Sequence, residues 1–318
     1  MIAASETGSS LPRPRPAGRR PARQRAGAPA ALLRHPATDT PAARSQDMAQ
    51  VRADGVDLFY ESTGTGDPLV LVHGSWTDHA VWRLAIEADL KAGFTVVAYD
   101  RRGHGASGSP PGQGTRRQDE DDLAALIESL GDAPVHVAGN SFGASAVLGL
   151  AARRPELFRT IAVHEPPLIG VVASDPAVLA RLQPTMTSVD AVLDHLRKGE
   201  DGPGARLFVE EVALGPGMWD ALAQETRESF TAHAQTWLDE QSDPQWASLD
   251  LDGLSGCTVP VMLSRGTQGP PFFAAVLDRL AEVLPRTRRT TFDGAGHMPH
   301  VTHPQEYVAA LTGFIREA

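Results

Sequence analysis

The sequence predicts an α/β protein: a mostly parallel central sheet flanked by helices and interrupted by one helical insertion. Three observations carry this. Short apolar runs without polar alternation recur along the chain, as buried parallel strands require. Segments with helical apolar spacing separate them. One interval of about 90 residues (166–255) has helical stretches and no strand, which reads as a cap set over the sheet's carboxyl edge.

In chain order, residues 56–62 (VDLFYES) form a β-rich run ending at the turn formers Gly64-Thr65-Gly66-Asp67-Pro68. Residues 68–72, 95–99, 135–138, 160–163, 259–264 and 289–292 are the further strands expected. A helix over 117–130 opens on Asp119, Glu120, Asp121 and Asp122, keeps Leu123, Leu126, Ile127 and Leu130 on one face, and stops at Gly131. A helix over 142–154 is stopped by Pro155, and helices over 271–284 and 304–317 each open with proline. Within the insertion, helices are expected near 178–198, 203–214 and 217–240.

Composition excludes several function classes. The 318 residues are 42% hydrophobic and carry one cysteine, Cys257, so no internal disulfide framework exists. No apolar run is long enough to cross a bilayer as a helix. Residues 1–47 hold eight arginines against Glu6, Asp39 and Asp47, a net of +5; the chain's −10 therefore leaves −15 for the rest. So acidic a body does not suit nucleic acid or an anionic membrane. The first 47 residues, rich in Pro, Ala and Arg, are expected to be a disordered tail, with Met48 a candidate start. Residues 48–165 and 256–318 are expected to form the core and 166–255 the cap, in a cytoplasmic monomer or homodimer.

Gly139-Asn140-Ser141-Phe142-Gly143 has the form G-x-S-x-G between an expected strand and an expected helix. A strand-to-helix turn this tight puts Ser141 in strained backbone angles and its hydroxyl at the sheet's end, above a helix N-terminus. His73-Gly74-Ser75-Trp76, Asp100-Arg101-Arg102-Gly103-His104-Gly105 and Gly294-Ala295-Gly296-His297 each follow a strand. With these motifs in this order, the chain from about Gln50 to Ala318 resembles the α/β-hydrolase superfamily.

The resemblance implies a serine esterase or lactonase with no metal and no organic cofactor. It implies Ser141 as nucleophile, His297 as base, and an oxyanion hole from the N–H groups of Phe142 and Ser75. His73 is expected to brace its own loop, and His104, His136 and His164 to be structural. The acid departs from the common pattern. The loop 265–271, where it usually lies, contains no Asp or Glu, and Asp293 ends a strand. Glu165, following the strand before and 24 residues after Ser141, is the expected acid. Proteins similar to fungal zearalenone lactonase and the haloalkane dehalogenases place it there; the latter attack with aspartate, so Ser141 excludes their reaction.

The expected substrate is a small to medium hydrophobic ester or lactone, lined by Trp76, Trp219 and His300. Because the base must be neutral, activity should fall on acidification. A cofactor-free haloperoxidase or perhydrolase, an acyltransferase, or a C–C bond hydrolase would use the same triad. A non-catalytic ligand-binding relative would lack it in function while keeping the fold.

Overall fold

A computed structural model describes residues 47–109 and 114–318. The expected tail lies outside the described residues except for Asp47, with which the first strand opens.

Eight strands form one sheet: β1 (Asp47–Ala53), β2 (Val56–Gly64), β3 (Asp67–Val72), β4 (Phe94–Tyr99), β5 (Val135–Asn140), β6 (Phe158–His164), β7 (Val261–Gly266) and β8 (Thr287–Phe292), in the order β1-β2-β4-β3-β5-β6-β7-β8. β1 and β2 are antiparallel to their neighbours, and every pairing from β4 to β8 is parallel. The sequence patterns do not announce β1. It joins β2 through Asp54-Gly55, both at positive φ (35° and 80°), the backbone a tight hairpin turn needs.

Position in the sheet explains the apolar runs. All six residues of central β5 are buried, whereas β8 at the edge is mostly exposed. There Arg288 pairs with Glu317 at 2.6 Å and Arg289 with Asp278, which charges an otherwise open edge. Along β3 the pleat sends Leu69 and Leu71 into one apolar layer and Val70 and Val72 into the other. The second layer holds α1 (Arg116–Leu130) and α2 (Phe142–Ala151); the first holds the C-terminal helix Pro304–Glu317 and Trp82.

Local chemistry sets the helix ends. Thr115 and Gln118 make a reciprocal capping box at the start of α1, and Gly131 at φ 73° ends it. Its acids serve mainly as ion partners: Asp119 meets Arg101 at 3.1 Å, Asp122 meets Arg102 at 2.6 Å, and Glu120 meets Arg116 at 3.1 Å.

Between β6 and β7 the chain runs through α3 (Pro176–Arg197), α4 (Asp201–Leu207), α5 (Gln224–Ala232) and α6 (Ala234–Ser242) with no strand. Val189, Val192, Leu196, Val209, Phe230 and Trp237 form an apolar cluster of their own, joined from the sheet side by Trp76. Both ends of the segment root in the main core, through Val172, Val178 and Leu182 at one end and Leu254 and Cys257 at the other.

Candidate active site

β5 delivers Ser141 to the carboxyl edge of the sheet, and α2 starts at the next residue. Ser141 has φ 54° and ψ −124°, outside the ordinary wells for an L-residue. A Cβ on Gly139 would lie 2.9 Å from Ala144 Cα, so the turn itself demands glycine there. A Cβ on Gly143 would lie 2.3 Å from the His73 carbonyl oxygen; here the demand comes from the crossing of α2 under the β3 loop. The Ser141 N–H donates to the His164 carbonyl at 2.9 Å, which fixes the turn to the end of β6.

Glu165 follows β6, fully buried, at φ 46°. His297 Nδ1 lies 2.7 Å from Glu165 Oε2, and the Gly266 N–H donates to Oε1 at 2.9 Å. Burial works to raise the Glu165 carboxyl, but the bond to His297 and the nearby imidazoles and N–H outweigh it and hold the group below its ordinary value. The loop after β7 closes over this carboxylate: a Cβ on Gly269 would stand 2.5 Å from Oε1. The loop that lacks an acid of its own is thus shaped to admit the one from β6.

His297 stacks on Phe273 (centroids 5.2 Å apart, 17° between planes), and its side chain stays 35% exposed. Asn140 Nδ2 donates to the His297 carbonyl at 2.9 Å and ties the histidine loop to the residue before Ser141. Among the described residues no hydrogen bond joins Ser141 Oγ to His297. Contacts of this kind commonly tighten only when substrate is held.

The loop after β3 reaches the same place. A Cβ on Gly74 would lie 2.9 Å from Ser141 Cβ, so only glycine lets this backbone come so close. His73 commits both ring nitrogens to the loop: Nε2 accepts from the Arg101 N–H at 3.0 Å and Nδ1 donates to the Gly74 carbonyl at 2.7 Å. Arg101 is buried, donates through Nε to the His73 carbonyl at 3.2 Å, and lies 4.9 Å over the Phe142 ring. The site therefore brings together Ser141, His297, Glu165, Gly74-Ser75 and Phe142.

Three expected lining residues are placed otherwise. Trp76 is 2% exposed and stacks on Phe208 at 4.5 Å inside the helical segment's apolar cluster. Trp219 lies half-buried at that cluster's margin, beside an outer groove with Gln224 and Arg227. His300 is fully buried, 4.2 Å from the Trp82 ring, with neither ring nitrogen hydrogen-bonded. Aromatic composition cannot distinguish a pocket wall from packing; here packing took Trp76 and His300, while Trp219 borders an outer groove. Sequence reasoning misses Asn140, Gly269, Phe273 and Glu240. Asn140 and Gly269 stand in recognisable positions, inside the serine motif and inside the acid-free loop; Phe273 and Glu240 carry no local signal.

Asp78, His79 and Asp100 alone, among the described residues, come close enough to share a cation. Their donors are already engaged: Asp100 takes the His79 N–H and ring at 2.7 Å each and the Ala106 N–H at 2.8 Å, and Asp78 caps Ala80 at 2.9 Å.

The model of the alpha/beta hydrolase family matches residues 69–311. A putative carbamate hydrolase from Azorhizobium caulinodans is 26% identical over 280 residues, covering 85% of this chain and 99% of that one. A zearalenone hydrolase from Cladophialophora bantiana is 26% identical over 268 residues, covering 80% and 91%. Among solved structures, an alpha/beta hydrolase from Sphaerobacter thermophilus superposes with a TM-score of 0.66 at 27% identity, covering 84% and 99%.

Proposed function

The chain belongs to the alpha/beta hydrolase family, and from that premise we propose that it is a serine hydrolase cleaving carboxylic esters or lactones through Ser141, His297 and Glu165. The observation that carries this is the 2.7 Å contact between His297 Nδ1 and the buried Glu165 carboxylate, beside a serine held at φ 54°. Strain of that kind persists where the surrounding structure enforces it, and it clusters at working sites.

His297 Nε2 takes the Ser141 proton as Oγ attacks the carbonyl carbon. Glu165 fixes the tautomer with Nδ1–H and stabilises the imidazolium that forms. The Phe142 and Ser75 N–H groups receive the negative charge that develops on the carbonyl oxygen. The imidazolium then protonates the leaving alkoxide, which frees the alcohol from an acyl ester on Ser141. Water, deprotonated by the same histidine, releases the acid and restores the serine. No step calls on a metal or an organic cofactor.

The lactone reading rests on the acid's place after β6 and on the likeness to a zearalenone hydrolase. A carbamate offers the same carbonyl to the same donors, and a putative carbamate hydrolase is similar over almost its full length, so carbamates belong in the same substrate panel. A fluorophosphonate probe tests the nucleophile without knowledge of the substrate. Wild type should be labelled and folded Ser141→Ala should not; equal labelling of both would sink the assignment.

A further inference from the structure

Residues 73–75 are held from two sides. From the sheet side, Arg101 donates to the carbonyls of His73 at 3.2 Å and Gly74 at 3.3 Å, and its backbone N–H bonds the His73 ring. From the opposite side, Glu240 of α6 takes the Ser75 hydroxyl on one carboxylate oxygen and Arg101 on the other. Glu240 is 5% exposed, and His104 Nε2 stands 3.8 Å from it. The next residue, Trp76, turns at φ 63° and inserts among Phe208, Phe230 and Trp237. Two consecutive loop residues are thus anchored in the helical segment, directly beyond the glycine that touches Ser141.

We propose that Glu240 is a positioning residue for the reaction, setting the Ser75 N–H through the Ser75 hydroxyl and Arg101 so that the oxyanion hole is aligned by the seating of α6. This deepens the serine-hydrolase reading and rests on it. The geometry favours alignment over simple charge burial. Arg101 keeps a second counter-charge in Asp119, 3.1 Å away, so the cation does not need Glu240 for neutralisation. What Glu240 adds is a link between the loop's hydroxyl and the guanidinium that braces the loop's carbonyls. Arg101 also lies over the Phe142 side-chain ring, so one network touches the loop that carries the Ser75 N–H and the side chain of Phe142.

The link predicts a specific kinetic signature. Oxyanion contacts strengthen as charge develops, so misalignment is felt in turnover more than in substrate binding. Glu240→Gln preserves shape and the Arg101–Asp119 pair; Ser75→Ala preserves the N–H and removes the hydroxyl. Each should lower kcat by roughly 10- to 100-fold with KM and thermal midpoint little changed, the range expected for a displaced donor. The double variant should lose no more than either single one, because both break the same link.

A second readout separates alignment from structure. A trifluoromethyl ketone of substrate shape forms a tetrahedral oxyanion on Ser141, whereas the matching ether does not. In both variants the ketone should weaken in step with kcat, while the ether keeps its affinity. Retention of kcat within about twofold in folded Glu240→Gln and Ser75→Ala would overturn the proposal. So would a loss shared equally by the ether, or additive losses in the double variant. If Glu240→Gln does not fold, Ser75→Ala decides on the same two readouts. Fluorophosphonate labelling of wild type reports separately on the underlying serine chemistry, so a failure there is not confused with a failure of the alignment link.

Discussion

Five non-glycine residues take positive φ among the described residues, and three of them, Trp76, Ser141 and Glu165, carry or flank the site. Each sits where a strand or its following loop must redirect a side chain within one residue. The strain should be measurable at Ser141. Ser141→Gly relieves an unfavourable backbone well and Ser141→Ala does not, although both remove the hydroxyl. By urea unfolding, Ser141→Gly should be the more stable of the two by about 1 kcal/mol, net of glycine's larger unfolded-state entropy. The reverse order would mean that the turn carries no strain. The residue scale is also where the sequence is most legible. G-x-S-x-G, the glycine pair before His297 and His73-Gly74 are short patterns whose meaning comes from backbone geometry, and glycine is where geometry leaves a mark. Glu165 stands out because the loop 265–271 holds no acid, and the Glu165 carboxylate, which accepts the Gly266 N–H, stands so close to residue 269 that a glycine is needed there.

At the scale of elements, the buried parallel strands are readable because burial on both faces leaves short apolar runs in them, such as residues 69–72 in β3, 96–99 in β4 and 161–163 in β6. β1 escapes notice for the opposite reason. It is an edge strand with exposed and half-exposed positions, and its pattern alone is that of a loop. The stretch 79–93 escapes as well. It is built of short turns around Trp82 and Leu90, too brief for a helical period to show. The acids at the start of α1 read as partners of the helix dipole, but ion pairing with Arg101, Arg102 and Arg116 decides their place. The pairs to Arg101 and Arg102 join α1 to the loop after β4, and only the Arg116–Glu120 pair is local, one helical turn apart. The long helices expected near 203–214 and 217–240 are each divided in the structure: a six-residue π-helical stretch follows α4, and a break at His233 separates α5 from α6. That break orients α6 so that Glu240 faces the β3 loop, which no local pattern announces.

At the scale of the whole molecule, two layers of apolar packing enclose several neutral histidines, and their burial links stability to pH. His164 and His300 are both pushed down to about 3, first by burial and then by neighbouring groups that include His297. Their unfolded values lie near 6.5, so between roughly 6.5 and 3 the unfolded chain binds protons that the folded chain refuses. Stability is therefore full above that window and falls as pH drops into it. Replacing His300 with Phe, a ring of similar shape without orphaned nitrogens, should reduce the loss between pH 7 and 5 by roughly 2 kcal/mol in urea unfolding. An unchanged loss would place His300 in a wetter setting than its burial implies. Among the described residues no helix is long and apolar enough to cross a membrane. The helical segment over the sheet is legible as a strand-free interval, but its apolar cluster absorbs Trp76, one of the two tryptophans expected to meet substrate.

The central claim is that Ser141, His297 and Glu165 act as one unit, and steady-state hydrolysis of p-nitrophenyl butyrate tests it most directly, with Ser141→Ala, His297→Ala and Glu165→Gln measured beside wild type. All three folded variants should lose at least ~100-fold in kcat/KM, since an amide cannot fix the tautomer or stabilise the imidazolium as the carboxylate does. If Glu165→Gln kept near-wild-type turnover while the other two were inactive, Glu165 would not be the acid and the three residues would not form a catalytic unit.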